Sequence, residues 1–346
     1  MKKMFMAAGM AAVMTACGTA GQKAATDAGN PFLAEYSTPF GVPPFDLIKV
    51  EHYKEAFLKG MEEQKKEIDA IVNQRSVPDF DNTIAAFDQS GELLNKVSTV
   101  FSGLNSCNTN DEMQAFNKEI TPLLSAHRDD ISLNPALFAR VKEVYERREK
   151  LGLDKEQNKL LEETYKKFVR GGANLDSVDQ AKLRQLNSEI SMLQLTFGQN
   201  LLKETNAFEL VIDKKEDLAG LPESLVASAA EAAKGAGMEE KWLFTLHNPS
   251  VMPFLQYADN RELREKIFKG YINRGNNGNE ADNNEIVKKL VALRLEKAKL
   301  MGYADYASFI LEDRMAKNEE NVYRLLNQIW TPAVAKAKEE LSDIQS

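Results

Sequence analysis

Three histidines bound the chemistry that this chain of 346 residues can hold: His52, His127 and His247. A catalytic zinc on a helix needs two imidazoles on one face, which the i, i+4 spacing supplies. No two of these histidines have that spacing. His52 and Glu55 stand close enough in sequence for half of such a site, but a helical His near a Glu reads first as a surface pair. His127-Arg128-Asp129, followed by Asn134, copies the residue order of a phosphoryl-transfer catalytic loop. The Gly-rich phosphate loop, strand lysine and Asp-Phe-Gly segment that such a loop works with are absent from the sequence. The triplet therefore reads as a helix end whose acids cap the next turn.

Other reaction classes fail in the same way. No Gly-x-Ser-x-Gly elbow, Walker loop or dinucleotide loop occurs, so serine hydrolysis, ATP and NAD are not indicated. Asn273-Arg274-Gly275-Asn276-Asn277-Gly278-Asn279-Glu280-Ala281-Asp282 is the most oxygen-rich stretch. It lacks the alternating carboxylates and terminal bidentate Glu of a calcium loop. It is read as an interhelical loop whose Asn or Asp residues cap a helix beginning near Asn283. The other carboxylates alternate with Lys and Arg on helix faces, the pattern of a solvated surface. No catalytic residue and no metal ligand is assigned in this chain.

The cysteines do different work. Lys2 and Lys3 precede an apolar run, Met4 to Val13, that is shorter than the ~20 residues needed to span a bilayer. Met14-Thr15-Ala16-Cys17 then places small residues before a thiol that can accept diacylglycerol. Residues 1–17 are expected to be a lipoprotein signal peptide, with Cys17 as the lipid-attachment residue holding an exported protein on the periplasmic or outer face of a membrane. Cys107 is then left without a partner and is expected to be an inert, partly buried thiol.

The elements that position these residues follow from periodicity. The composition, 43% hydrophobic and 28% charged, is that of a folded globular chain, and the net charge of −8 argues against nucleic acid as a partner. Residues 18–30 read as a flexible tether. A Pro-rich strap with interleaved Phe, Thr38 to Phe45, follows. Asp46 is expected to cap a helix to Asn73, and Asn82 a single helix through Ile84, Phe87, Leu94, Val97, Phe101 and Leu104. Further helices open at Asn110, Asn134-Pro135, Asp154 and Asp176 or Ser177; Gly171-Gly172 closes the one that Asp154 opens.

About 208–212 and 241–246 read as strands of one short antiparallel ribbon flanking a helix from Pro222 to Lys234. Helices resume at Asn260, at Asp282, near Tyr303 and at Asn318, the last kinking at Pro332 and running to Ser346 with no stop signal, as in a truncated chain. No fixed-period repeat is present. The fold class is mainly α: a multi-helix body with one β ribbon.

Several stretches stand out together: Asn30-Pro31-Phe32 with Thr38-Pro39-Phe40-Gly41-Val42-Pro43-Pro44-Phe45, Asp81-Asn82-Thr83-Ile84, Pro122-Leu123-Leu124-Ser125-Ala126-His127, and Phe168-Val169-Arg170-Gly171-Gly172-Ala173-Asn174-Leu175. Asp217-Leu218-Ala219-Gly220-Leu221-Pro222, Asn260-Arg261-Glu262-Leu263-Arg264-Glu265-Lys266 and Asn273-Arg274-Gly275-Asn276-Asn277 complete the set. In their order and spacing they resemble the thimet oligopeptidase and dipeptidyl carboxypeptidase (peptidyl-dipeptidase) family of zinc metallopeptidases. The resemblance implies the N-terminal part of a neurolysin-like channelled peptidase, with 31–257 a helical domain forming a channel wall and 258–346 the start of the peptidase domain, cut before the zinc motif.

It further implies zinc held elsewhere on a His-Glu-x-x-His helix, oligopeptide substrates, a monomer at full length, and inactivity of this chain alone. Apolar helix faces near Leu325, Ile329 and Trp330 should then be exposed. The alternative is a non-catalytic helical lipoprotein acting as a peptide-binding or scaffolding module.

Overall fold

A computed structural model describes residues 29–346. The leader with Cys17, and the tether as far as residue 28, lie outside them. Asn30 caps the first short turn: its side chain accepts from Phe32 N at 3.1 Å and donates to the His52 carbonyl at 2.8 Å. Phe32 is thereby anchored against Tyr53, the ring centroids 5.2 Å apart. The strap that follows does not press its rings onto the body. Pro39–Gly41 makes one 3-10 turn with Phe40 at φ 59°, and the Phe40 side chain stands fully in solvent.

Helix α1 spans Val50–Asn73 and buries Tyr53, Phe57, Met61, Ile68 and Ile71 along one stripe. It starts later than expected because the Pro44 carbonyl draws in the amides of Leu47 and Ile48, placing Asp46 in a turn. Lys49 caps it instead, its N–H donating to His52 Nδ1 at 3.1 Å.

The single helix expected from Asn82 is split. Asp79, not Asn82, is the cap: Asp79 Oδ1 accepts from Asn82 N at 2.7 Å and Asn82 Oδ1 from Asp79 N at 3.1 Å. A π-helical turn at Phe80–Ala85 leads into α2, Ala86–Asp88. Gly91 then takes φ +79° and its N–H donates to Glu67 at 2.7 Å, before α3 begins at Glu92 and runs to Cys107. That positive φ favours glycine, and a Cβ at this position would also push the Gln64 amide, 2.4 Å away, aside.

Helices α4 (Asp111–Ser132), α5 (Pro135–Glu146), α6 (Lys155–Arg170) and α7 (Ser177–Ala207) begin at the expected caps Asn110, Asn134, Asp154 and Asp176. Gly172, at φ +97°, is the left-handed residue that closes α6, with Ala173 N donating to Phe168 O at 3.0 Å. The ribbon is antiparallel: β1, Leu210–Ile212, pairs with β2, Trp242–Phe244, Val211 facing Leu243. Between them lies α8, Glu223–Gly235. A helix not foreseen, α9 at Asn248–Tyr257, follows β2 and carries Pro249 in its first turn. Then come α10 (Arg261–Ile272), α11 (Asn284–Leu300), α12 (Tyr306–Leu311) and α13 (Glu319–Gln345), which is continuous through Pro332.

Three apolar cores hold these elements. Tyr53, Phe57, Phe101 and Phe116 interlock edge-on and stacked between α1, α3 and α4. Each such buried ring contributes roughly 2–3 kcal/mol. A second core joins the end of α1 and the π turn to α5 and α6 through Ile84, Leu137, Leu161 and Phe168. The third fills the ribbon with Leu210, Phe244, Val251, Phe254 and Ile267, taking residues from both sides of position 257.

Helix α7, about 46 Å long at 1.5 Å per residue, packs against α4 and α11 and so links these bodies. Among the described residues α13 has no buried side chain, and Leu325, Ile329 and Trp330 are 57%, 52% and 70% exposed. No described helix is long and apolar enough to cross a membrane.

Candidate functional site

The histidines occupy separate places. His52 closes the start of α1, while Glu55 is held by Asn30 Nδ2 at 3.1 Å rather than turned toward the imidazole. His247, before α9, lies within hydrogen-bond distance of Thr245 Oγ1 at 2.9 Å and Asn206 Oδ1 at 3.1 Å. Among the described residues no three His, Cys, Asp or Glu side chains gather closely enough to hold a metal ion. Zinc, which the resemblance implies, does not fit the residues present, and no hydrolytic step is assigned to them. Cys107 is exposed at the end of α3, beside Ser106 Oγ at 3.7 Å, not partly buried as its apolar character suggested. Its position on the last turn of an amphipathic helix, beyond Phe101, leaves it nothing to pack under.

The His127-Arg128-Asp129 triplet lies inside α4, and its acids do not cap the next turn. They reach across helices instead. Asp129 accepts from Asn187 Nδ2 of α7 at 2.8 Å, and Asp130 pairs with Lys65 of α1 at 3.2 Å and Arg184 of α7 at 2.8 Å. Asn187 Oδ1 in turn accepts from Lys297 Nζ of α11 at 2.6 Å. Burial raises the Asp129 carboxyl above its ordinary range, more than the Asn187 bond and the neighbouring cations lower it. Burial likewise pushes the Lys297 ammonium down.

His127 is 5% exposed. Its Nε2–H donates to Gln64 Oε1 across 2.7 Å, which leaves Nδ1 as an acceptor, and that buried atom has no hydrogen-bond partner. Burial, then the nearby Lys65, hold the imidazole below its usual pKa and keep it neutral. Gln64 is itself loosely tied, to the Ser90 carbonyl at 3.4 Å and Ser90 Oγ at 3.5 Å.

This pair lines a cavity of about 750 Å³ between α1, the α2–α3 turn, α4 and α6, with Phe87, Leu124, Ile131 and Phe168 supplying apolar wall. Concave sites of roughly 300–1,000 Å³ with few polar groups are the usual form of small-ligand sites. Asp88 and Glu92 border it from the α2–α3 turn, and Arg128 and Lys167 from α4 and α6.

A second buried carboxylate organises the oxygen-rich loop. Glu204, near the end of α7, is 8% exposed and accepts from Gly275 N, from Asn277 Nδ2 at 2.8 Å and from Asn279 Nδ2 at 2.6 Å. Burial raises its pKa, but the three bonds together outweigh that and leave it below the ordinary range. The loop caps the following helix as expected, Asp282 accepting from Asn284 N at 2.8 Å. Neither Glu204 nor Asn187 was legible in the sequence, since α7 is polar on most faces and marks no single residue as buried.

The helical body with its small antiparallel ribbon accords with comparisons to known proteins. Residues 254–346 match peptidase family M3. The chain is similar to dipeptidyl carboxypeptidases and oligopeptidases along part of their length. It is 40% identical over 92% of its length to the dipeptidyl carboxypeptidase of Escherichia coli, covering 46% of that protein. Oligopeptidase A of Haemophilus influenzae is 29% identical over 88% of the chain, which covers 45% of it, and saccharolysin of Saccharomyces cerevisiae is 24% identical over 78%, with 37% covered. The chain thus spans about half the length of the curated relatives it matches.

Proposed function

We propose that this chain is the N-terminal portion of an exported zinc peptidase that hydrolyses short peptides in the manner its relatives' names describe, and that alone it is inactive. The observation that carries the reading is the 40% identity across 92% of the chain to a dipeptidyl carboxypeptidase of which it covers 46%. The helical part to position 257 supplies a channel wall, and the part from 258 opens the peptidase domain. The metal and its ligands come from sequence this chain does not hold. The uncovered apolar face of α13 supports the same reading: Leu325, Ile329 and Trp330 form a stripe that the remainder of a peptidase would bury.

Export rests on the leader. A cleaved peptide ending at Ala16 would leave Cys17 as a diacylated first residue on the membrane, with the residues between it and Asn30 as a tether. Zinc bound elsewhere in the whole enzyme would polarise the attacking water; the residues here would border the path of the peptide.

The experiment is to read the source gene past the codon for Ser346, then express the continued protein. An in-frame His-Glu-x-x-His, and release of C-terminal dipeptides that a chelator stops and zinc restores, is the expected result. A stop codon at that point would overturn the reading and leave a non-catalytic module. Fractionation of cells carrying Cys17→Ser tests the anchor independently: the wild-type protein should sediment with membranes and the variant should not.

A further inference from the structure

The cavity beside His127 combines two features that a packing defect does not. First, an imidazole 5% exposed on its border has an acceptor nitrogen with no partner. A buried acceptor left unpaired costs about 1–3 kcal/mol, so a donor arriving there recovers that energy. Second, four charged side chains on its rim are unpaired: Asp88 and Glu92 come from the α2–α3 turn, Arg128 from α4 and Lys167 from α6, and none of the four enters an ion pair or side-chain hydrogen bond among the described residues. Elsewhere on this surface opposite charges are paired freely, as in Lys65–Asp130 and Arg184–Asp130.

We propose that this cavity binds a short zwitterionic peptide. Its ammonium end lies toward Asp88 and Glu92, its carboxylate toward Arg128 and Lys167, and one of its N–H groups donates to His127 Nδ1. The apolar wall of Phe87, Leu124, Ile131 and Phe168 receives a side chain. Gln64 holds the imidazole but is itself held only by the 3.4 and 3.5 Å contacts to Ser90, so the pair can turn toward an incoming donor. A volume of about 750 Å³ admits two or three residues and excludes a folded protein. The choice of a peptide rests on the peptidase reading; the charges, the orphaned acceptor and the cavity do not.

The test uses this chain with Ala-Phe as the probe, followed by ¹⁵N shifts of the three imidazoles, His127 being assigned by its loss in His127→Gln. Saturable binding that moves the His127 Nδ1 signal and leaves His52 unmoved is expected. Blocking both peptide ends as N-acetyl-Ala-Phe-amide should weaken it about tenfold or more, as should Asp88→Asn with Glu92→Gln, or Arg128→Gln with Lys167→Gln. These exposed amide replacements leave the fold intact, which the unchanged His247 signal would register.

Equal binding of free and blocked peptide would overturn the proposal, showing a merely apolar cleft. Absence of saturation by roughly 10 mM, or movement of His247 alone, would overturn it too. Neither outcome touches the zinc-dependent activity of the continued protein, so the two readings fail separately.

Discussion

Asn187 Nδ2 donates to the Asp129 carboxylate across 2.8 Å, tying the middle of α7 to α4. The same amide accepts from Lys297 of α11 at 2.6 Å, so one neutral side chain separates a buried carboxylate from a buried ammonium. Replacing it by Leu keeps the volume and strips both charges of their partner. Asn187→Leu should therefore destabilise the chain by about 2–4 kcal/mol in urea unfolding.

Protonation of Asp129 gives that seam a pH dependence with a definite sign. Its folded pKa is raised, chiefly by burial, so the folded state takes up its proton at a higher pH than the unfolded chain does. The stability it adds is present at low pH and is lost as pH rises through the folded value. Asp129→Asn keeps an oxygen for Asn187 and cannot titrate. Relative to that variant, the wild-type chain should gain stability as pH falls through the raised folded value toward the ordinary carboxylate range, read as the difference of urea midpoints.

Glu204 carries the opposite sign. Its three hydrogen bonds overcome burial and hold its pKa below 4.5, so the stability it contributes is complete at neutral pH and is lost as pH falls through the lower folded value. Glu204→Gln removes the charge that Gly275 N, Asn277 and Asn279 share. A loss of about 1–3 kcal/mol at neutral pH is expected, closing toward zero as pH falls through the lowered folded value. Amide exchange of Gly275 should quicken in the variant.

The segments that carry the family resemblance are mostly caps and turns, which explains why they were readable without any catalytic residue among them. Asn82 serves the Asp79 capping box and accepts from Arg140 at 2.9 Å; Gly172 closes α6; Asn260 caps α10 and donates to Asp217 at 2.8 Å. Caps are local, and a few residues declare them, so Asn110, Asn134, Asp154 and Asp176 were all legible. The break at Gly91 was not, because it depends on Glu67 and Gln64 arriving from α1. Helix α9 carries the same Asn-Pro opening as α5 and was missed only because a short apolar run beside a strand is ambiguous in period. The partners of His127 and Glu204 come from 63 and more residues away in sequence, and no periodicity reports such pairs.

Gly220 tests this view of the motifs as structural. It sits at φ +83°, and a Cβ there would meet the Tyr257 carbonyl at 2.2 Å and Asp259 at 2.7 Å. Asp259 N donates to Ala219 O at 2.9 Å across the same junction. Gly220→Ala adds strain of about 1–3 kcal/mol to a clash with rigid backbone. The variant should unfold at least about 3 kcal/mol more easily, or fail to accumulate, whereas Gly237→Ala, at a positive φ with open space, should cost about 1 kcal/mol.

The face of α13 separates a helix that is complete in itself from one built to be covered. Its Tyr323, Leu326, Ile329 and Trp330 follow one another at helical spacing and are all more than half exposed. Changing Leu326→Glu, Ile329→Glu and Trp330→Glu together removes no buried contact here, and Glu suits a helix interior. The unfolding midpoint of this chain should therefore shift by no more than about 0.5 kcal/mol. In the longer peptidase proposed above, the same triple change would place three carboxylates in a closed interface, at a cost of several kcal/mol. Loss of peptide hydrolysis there, with this chain unperturbed, is the expected pair of results. Full activity of the triple variant would show that the remainder of the enzyme leaves α13 open to water.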